Sequence, residues 1–184
     1  MVALRKTKEE ITHKARELAV EYEKKYQVCA LCTFGAVVDA LRWGGLELIP
    51  EDVEEQLLAG LTVLSGGVAM TGDGSCGAVT GGGLAIGLAM GISREMQLKD
   101  RSLRRLGYAA VQKGVVDKYY QKYNSILCKD VQRKFFGKAW DLTRDDMSHD
   151  FLGITHGCTI MQAAMWATEI ILDEFEKGNV KLPA

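Results

Sequence analysis

The sequence predicts an all-α fold, a single-domain helical bundle over residues 1–184 with a central glycine-rich helix. Apolar residues recur at helical spacing through most of the chain, and no segment shows the apolar–polar alternation of a half-buried strand. The chain has 184 residues but only two prolines, Pro50 and Pro183, which favours long helices over a turn-rich β fold. A single domain of this length buries a sizeable core.

Three helices are predicted in the first part of the chain. The first covers 7–26, where one face is apolar and the opposite face charged. The second covers 29–43 and ends at Gly44 and Gly45, which form a stop signal. The third covers 50–64, because a proline at its start is followed by the acidic residues that a helix N-terminus prefers: Glu51, Asp52, Glu54 and Glu55.

The rest of the chain is predicted to alternate helices with loops. In order, we expect a loop over 65–75, a glycine-rich helix over 76–92, one long helix or two over 94–123, a short helix over 128–136, an irregular segment over 137–157 and an amphipathic helix over 159–175.

Charge and hydropathy exclude several classes of partner. The chain has 23 basic and 24 acidic residues and no basic stripe, so no nucleic acid partner is expected. Its N-terminus becomes polar at once, unlike a secretory signal. The longest apolar run, over 77–92, is shorter than the roughly 20 residues of a membrane span. We therefore expect a cytoplasmic protein without a membrane partner.

Five cysteines are the main candidates for function. In a reducing compartment they bind metal or undergo redox chemistry more often than they form structural disulfides. Each lies near the predicted start of a helix, where unpaired amides and a partial positive charge favour the thiolate and suit an iron–sulfur cluster. Filling of the core is the other common role of a free cysteine. The five are Cys29, Cys32, Cys76, Cys128 and Cys158.

The spacing of the thiols requires the fold to bring them together. Cys29 and Cys32 stand three apart on a first helical turn, where they can meet one metal ion or form a disulfide, but they are half of a tetrahedral site. The other intervals match no compact zinc finger or ferredoxin. We expect Cys29, Cys76, Cys128 and Cys158 to converge as metal ligands. Cys32 is a further cofactor-binding candidate, and no catalytic residue is assigned.

The glycines that follow Cys76 recur in steps that include four residues, which line up on one helix face. This pattern has two interpretations. Gly77 and Gly81 either leave space beside the thiol for an inorganic group or let another helix pack tightly. The glycine-rich helix and the apolar face of 159–175 also suggest self-association, as a homodimer.

Four segments between about Gln27 and Phe175 resemble the redox-active protein family named for its cysteine pattern, C_GCAxxG_C_C. They read "CALCTFGAVVDAL", "GGVAMTGDGSCGAVTGG", "YNSILCKDVQRKFFGKAWDL" and "GCTIMQAAMWATEII". The Cys-Gly-Ala-x-x-Gly element is 76–81. Cys29 resembles the family's first cysteine, and Cys128 and Cys158 resemble its last two. Cys32 is an extra thiol, as in a subgroup that reads Cys-x-x-Cys at this position.

The resemblance implies redox or metal chemistry. Some related domains carry iron–sulfur centres, and similar split-Soret-type cytochromes also hold covalent haem. This chain has no Cys-x-x-Cys-His, so covalent haem is not expected. We interpret the sequence as an electron-transfer protein or redox enzyme with an iron–sulfur cluster of unspecified type and a redox partner protein. The alternatives are a dithiol/disulfide oxidoreductase using Cys29 and Cys32, with Cys76 or Cys158 resolving, and a structural zinc-binding module.

Overall fold

Helices account for the regular structure of residues 3–155 and 159–183, the parts of the chain that the computed structural model describes. The all-α prediction is thereby confirmed. The helices are α1 (Lys8–Tyr26), α2 (Cys29–Trp43), α3 (Glu51–Thr62), α4 (Gly77–Met90), α5 (Arg94–Lys99), α6 (Arg104–Val111), α7 (Asp117–Tyr123), α8 (Cys128–Phe136), α9 (Asp145–Leu152) and α10 (Ile160–Glu176).

The central layer consists of α2 and α4, which pack against each other and against α10, while α1 covers α2 and α10. Because α2 is enclosed by these neighbours and by α3, it is apolar almost all round, and Phe34, Val37 and Leu41 are fully buried. The 14 residues of α4 fall short of a membrane span. Throughout residues 3–155 and 159–183, no helix is long and apolar enough to cross a membrane.

Two glycines of α4 let its backbone touch that of α2. A Cβ atom on Gly81 would lie 2.2 Å from the carbonyl oxygen of Ala30, and one on Gly77 would lie 2.3 Å from Cys29 Sγ. Tight helix packing is therefore the correct interpretation of these two glycines. The idea that they leave space for an inorganic group is wrong, because α2 fills that space. Gly87 belongs to the other four-residue series, with Gly83 and Gly91, and among the described residues no atom lies within 4 Å of a Cβ built on it.

The segment 94–123 is a chain of short helical pieces. Helix α5 ends at Lys99, because the backbone of Asp100 is extended and breaks the helix. The Asp100 carboxylate accepts a hydrogen bond from Ser102 N–H, at the start of a tight turn over Arg101–Leu103. From Arg104 the helix continues to Tyr123, with one wider π-helical turn over Gln112–Val116 between α6 and α7.

Helix α9 corrects the expectation that 137–157 is irregular throughout. Two acidic residues begin this helix, as the partial positive charge of a helix N-terminus favours. Met147 and Phe151, one turn apart, pack on a small second core with Trp140 and Leu142. The helix is short and mostly polar, so its periodicity is too weak to be read from the sequence, although the acidic first turn and the spaced apolar pair were visible.

We predict opposite effects for two glycine substitutions on α4. Gly81→Ala forces the α2 and α4 backbones apart and should lower the free energy of unfolding by about 2–3 kcal/mol. Gly87→Ala meets no neighbour and should raise it, by up to about 1 kcal/mol, through better helix propensity. Urea unfolding followed by circular dichroism measures both. Equal effects of the two substitutions would contradict the packing described for Gly81.

Candidate functional site

A short backbone pairing holds Cys76 and Cys128 side by side. Cys76 N–H donates to the Ile126 carbonyl at 2.7 Å, and Cys128 N–H donates to the Gly74 carbonyl at 3.0 Å, with Ser75 facing Leu127 in an antiparallel bridge. Helix α4 begins immediately after Cys76, and α8 begins at Cys128. The pairing therefore brings two helix N-termini, each with a cysteine, to one place.

Cys29 brings a third helix start to the same place. It is the first residue of α2, and its Sγ lies against the backbone of Gly77 where the two helices touch. Ser65 Oγ accepts a hydrogen bond of 3.2 Å from Ala30 N–H, which satisfies one of the unpaired amides of the α2 terminus. Cys29, Cys76 and Cys128 all line one cavity of about 60 Å³.

The wall of this cavity is mixed in character. Its polar side chains are Glu23, Gln27, Ser65, Gln132, Thr155 and Thr159. Its apolar side chains are Met70, Val131, Phe136, Leu142, Phe151, Leu152 and Ile160. The cavity is thus a thiol-lined space between the main core and the second core around Trp140.

The loop that carries Met70 to the cavity is wound left-handed. Five consecutive residues, from Gly66 to Met70, have φ between 48° and 79°, and Val68 is β-branched, for which this conformation is costly. Ala69 N–H bonds to Val63 O at 2.8 Å and Gly72 N–H to Gly66 O at 2.8 Å, which holds the turn. Such strain persists where surrounding structure enforces it, and it is concentrated at functional sites.

Cys76 is the most enclosed of the three cavity thiols. Tyr119 Oη lies 3.8 Å and Thr159 Oγ1 4.0 Å from its Sγ. Burial is the main cause that raises the pKa of the Cys76 thiol to about 11, and the nearby Cys29 contributes to the rise. The expectation that a helix N-terminus lowers this pKa is therefore wrong for Cys76. The amide of Ala78 does favour the thiolate, but loss of water around the sulfur outweighs it.

Gln132 positions Cys128, and sequence reasoning missed it. Its Nε2 donates to Cys128 Sγ at 3.3 Å, and its Oε1 accepts from Trp140 N–H at 2.9 Å. The amide is buried and links the thiol to the second core. The available signal was its spacing, since residues four apart on α8 share a helix face.

Glu23 is a second lining residue that the sequence did not reveal. It lies near the end of α1 and is buried, although most of that helix's acidic residues face solvent. Burial raises the pKa of its carboxyl group from about 4.5 to about 7. A carboxyl group that titrates near neutral pH therefore faces the thiol cavity.

Of the two remaining cysteines, the structure describes only Cys32. Cys32 follows Cys29 by one turn on α2, but it faces the main core and does not line the cavity. Burial raises the pKa of its thiol to about 12. Cys158 lies outside the described residues. Among residues 3–155 and 159–183, no group of three or more His, Cys, Asp or Glu side chains is placed to hold a metal ion. The predicted ligand set thus stays a prediction.

Three thiols at three helix starts around one buried cavity define a thiol-based site in an all-α protein. A family model described as "Putative redox-active protein (C_GCAxxG_C_C)" matches residues 28–170. This match covers most of the chain and all five cysteines, so the chain belongs to this family of redox-active proteins. No curated protein and no solved structure matches the chain.

We predict that the thiols of the metal-free protein react in a fixed order. Cys29 is partly exposed, whereas Cys32 and Cys76 are buried with raised pKa values. Iodoacetamide near neutral pH should therefore modify Cys29 first and leave Cys32 and Cys76 unmodified until the protein unfolds. Peptide mapping by mass spectrometry measures the order, and the unfolded protein is the control. Modification of Cys32 as fast as Cys29 would contradict the burial described.

We also predict that Glu23 makes stability depend on pH. Its folded pKa of about 7 exceeds its unfolded value, so the folded state keeps the proton longer. The free energy of unfolding should fall by about 3 kcal/mol as pH rises from about 4.5 through the folded pKa of about 7, and it should level off above that pKa. Glu23→Gln should remove this decline, as measured by urea unfolding at each pH. An unchanged pH profile in the variant would contradict the assignment.

Proposed function

We propose that this protein transfers electrons through an iron–sulfur cluster held by the thiolates of Cys29, Cys76 and Cys128, with Cys158 as fourth ligand. The observation that supports it is the convergence of three thiols, each from a helix start, on one buried cavity. A protein electron donor or acceptor and a cytoplasmic location belong to the same proposal.

The donor set fits such a cluster chemically. Thiolates are the ligands that iron–sulfur clusters prefer, and four is their usual number. Convergent helix N-termini are unfavourable unless negative charge lies between them, and a thiolate-bound cluster carries that charge. The ligands of a cluster also stand farther apart than those of a single ion. Residues 3–155 and 159–183 contain no group of three His, Cys, Asp or Glu side chains close enough to hold one metal ion. That finding therefore weighs against the zinc alternative more than against the cluster.

The side chains around the sulfurs have definite roles in this proposal. Cys76 must lose its proton to bind metal, so metal affinity should rise with pH. The hydroxyls of Tyr119 and Thr159 lie beside the sulfur of Cys76. The side-chain amide of Gln132 donates a hydrogen bond to the sulfur of Cys128. Hydrogen bonds to ligand sulfurs and burial both tune a reduction potential. When bound, the cluster supplies one-electron transfer.

Thiol–disulfide exchange is the second candidate, and the geometry favours a different dithiol from the one predicted. Cys32 faces the core with a pKa of about 12, which opposes its use as an attacking thiolate. Cys29 and Cys76 instead line one cavity, and Cys29 lies close enough to raise the pKa of Cys76. The candidate pair for exchange is therefore Cys29 and Cys76.

Anaerobic purification followed by iron, zinc and acid-labile sulfide analysis tests the proposal. We expect iron and sulfide with a visible absorption spectrum in the native protein. Cys76→Ser should lose both, whereas the matched variant Cys32→Ser should keep both, because Cys32 does not line the cavity. Far-ultraviolet circular dichroism controls for folding of the two variants.

Two outcomes would contradict the cluster. Native protein without iron, zinc or sulfide and with five titratable thiols would leave thiol exchange or core filling. Zinc without sulfide would instead support the structural zinc module. Equal iron loss in both serine variants would contradict the division between cavity and core thiols.

A further inference from the structure

A basic surface segment, here called the arm, covers residues 94–109. It consists of α5, the tight turn after it and the first part of α6, and none of its residues is buried. Three large apolar side chains on this arm are open to solvent: Leu98 is 84% exposed, Tyr108 65% and Leu106 56%. Large apolar side chains that are exposed this near to one another in the chain are candidates for an interaction surface.

The arm also has an unbalanced positive charge. It carries two acidic residues, Glu95 and Asp100, and five basic residues, so its formal charge is +3. Lys99 pairs with Glu95, whereas the arginines make no ion pair within residues 3–155 and 159–183. Arginine with leucine and tyrosine is a composition suited to an acidic, partly aromatic partner. The arginines are Arg94, Arg101, Arg104 and Arg105.

An acidic groove lies on another face of the bundle, between α1, α2 and α3. Its volume is about 550 Å³, and its walls include the rings of Tyr22 and Tyr26 and the side chains of Leu31 and Leu58. Four acidic residues and one arginine line it, so its formal charge is −3, equal and opposite to that of the arm. The charged residues are Asp39, Arg42, Glu51, Glu54 and Glu55.

The interior of the groove holds more negative charge than its own cation balances. Arg42 Nη1 donates to Asp39 at 2.7 Å and Nη2 to Glu54 at 2.5 Å, while Tyr22 Oη donates to Asp39 at 2.6 Å. One guanidinium therefore serves two partly or fully buried carboxylates. Burial raises the pKa of Glu54, and the charge of Asp39 adds to that effect. A second guanidinium entering the groove would relieve this imbalance.

We propose that the arm of one copy of this chain docks into the groove of a second copy. The two surfaces match in charge, and each combines apolar or aromatic side chains with its charges. An arginine guanidinium can stack on a tyrosine ring while it donates hydrogen bonds to a carboxylate. The arm provides the arginines, and the groove provides the tyrosine rings and the carboxylates. An arm-to-arm dimer would instead place like charges opposite each other.

The contact joins two different surfaces. One such contact between two copies generates head-to-tail chains or closed rings, whereas two reciprocal contacts close the homodimer that the sequence suggested. The arm lies beside the C-terminal end of α4, where Ile92 Cδ1, two residues after the helix ends, lies 3.4 Å from the position of a Cβ on Gly107. The cavity thiol Cys76 is at the opposite end of α4. The arm therefore lies away from the thiol site, whereas the groove residue Leu31 is two positions from Cys29 on α2.

Sedimentation velocity of the full-length protein over a range of concentrations tests the proposal. The native protein should sediment faster as concentration rises, and less so in high salt, which screens exposed charges. Two variants address the two surfaces: Arg104→Gln with Arg105→Gln on the arm, and Glu51→Gln with Glu55→Gln on the groove. Each pair should weaken association at least about tenfold. All four side chains are exposed, so folding should persist.

Mixing the two variants gives the sharpest result, because each retains the surface that the other lacks. The mixture should form a 1:1 complex that grows no further, while each variant alone stays monomeric. Arg16→Gln with Lys118→Gln, which removes the same charge away from the arm, should change association by less than about twofold. The proposal is overturned by a native monomer at every concentration, by association that both surface variants leave intact, or by a mixture that stays monomeric.

Discussion

The direct backbone contact between α2 and α4 is the constraint on which the rest of the structure depends. At Gly81 the helices are so close that a single methyl group would overlap a carbonyl oxygen of α2. Helices packed through side chains keep their axes about 8–10 Å apart, and glycine removes that spacing. Because α4 packs this closely on α2, the N-terminus of α4 lies beside that of α2, and Cys76 beside Cys29.

The same constraint explains the chemistry of the site. Helix starts supply amides that favour thiolates, but burying them together removes water, and for Cys76 the second effect dominates. The Cys76 thiol thus keeps its proton until a metal cation displaces that proton. Around it, the strained turn from Gly66 to Met70 and the amide of Gln132 close the cavity. Burial of apolar surface in the large core, where α2 is buried on nearly all sides, offsets the free-energy cost of the strained turn and the buried thiols.

Local signals in the sequence predict much of this fold. The bounds of α2 match the prediction because its apolar face and its glycine stop are both encoded nearby. The four-residue spacing of the glycines on α4 is compatible with two interpretations, because spacing alone does not show which part of the protein packs against those glycines. Whether Cys32 faces the cavity or the core depends on where α4 packs, and α9 depends on a second core formed by distant residues. Glu23 shows the same limit, because only tertiary packing distinguishes it from the exposed acids around it.

The central claim is that Cys29, Cys76 and Cys128 surround a bound cluster. A crystal structure of anaerobically purified protein, with anomalous data collected at the iron absorption edge, tests it most directly. The account predicts an anomalous peak between the three sulfur atoms, with the cavity enlarged around it and Cys32 still facing the core. A cavity containing only protein and water, or iron bound elsewhere on the chain, would contradict it.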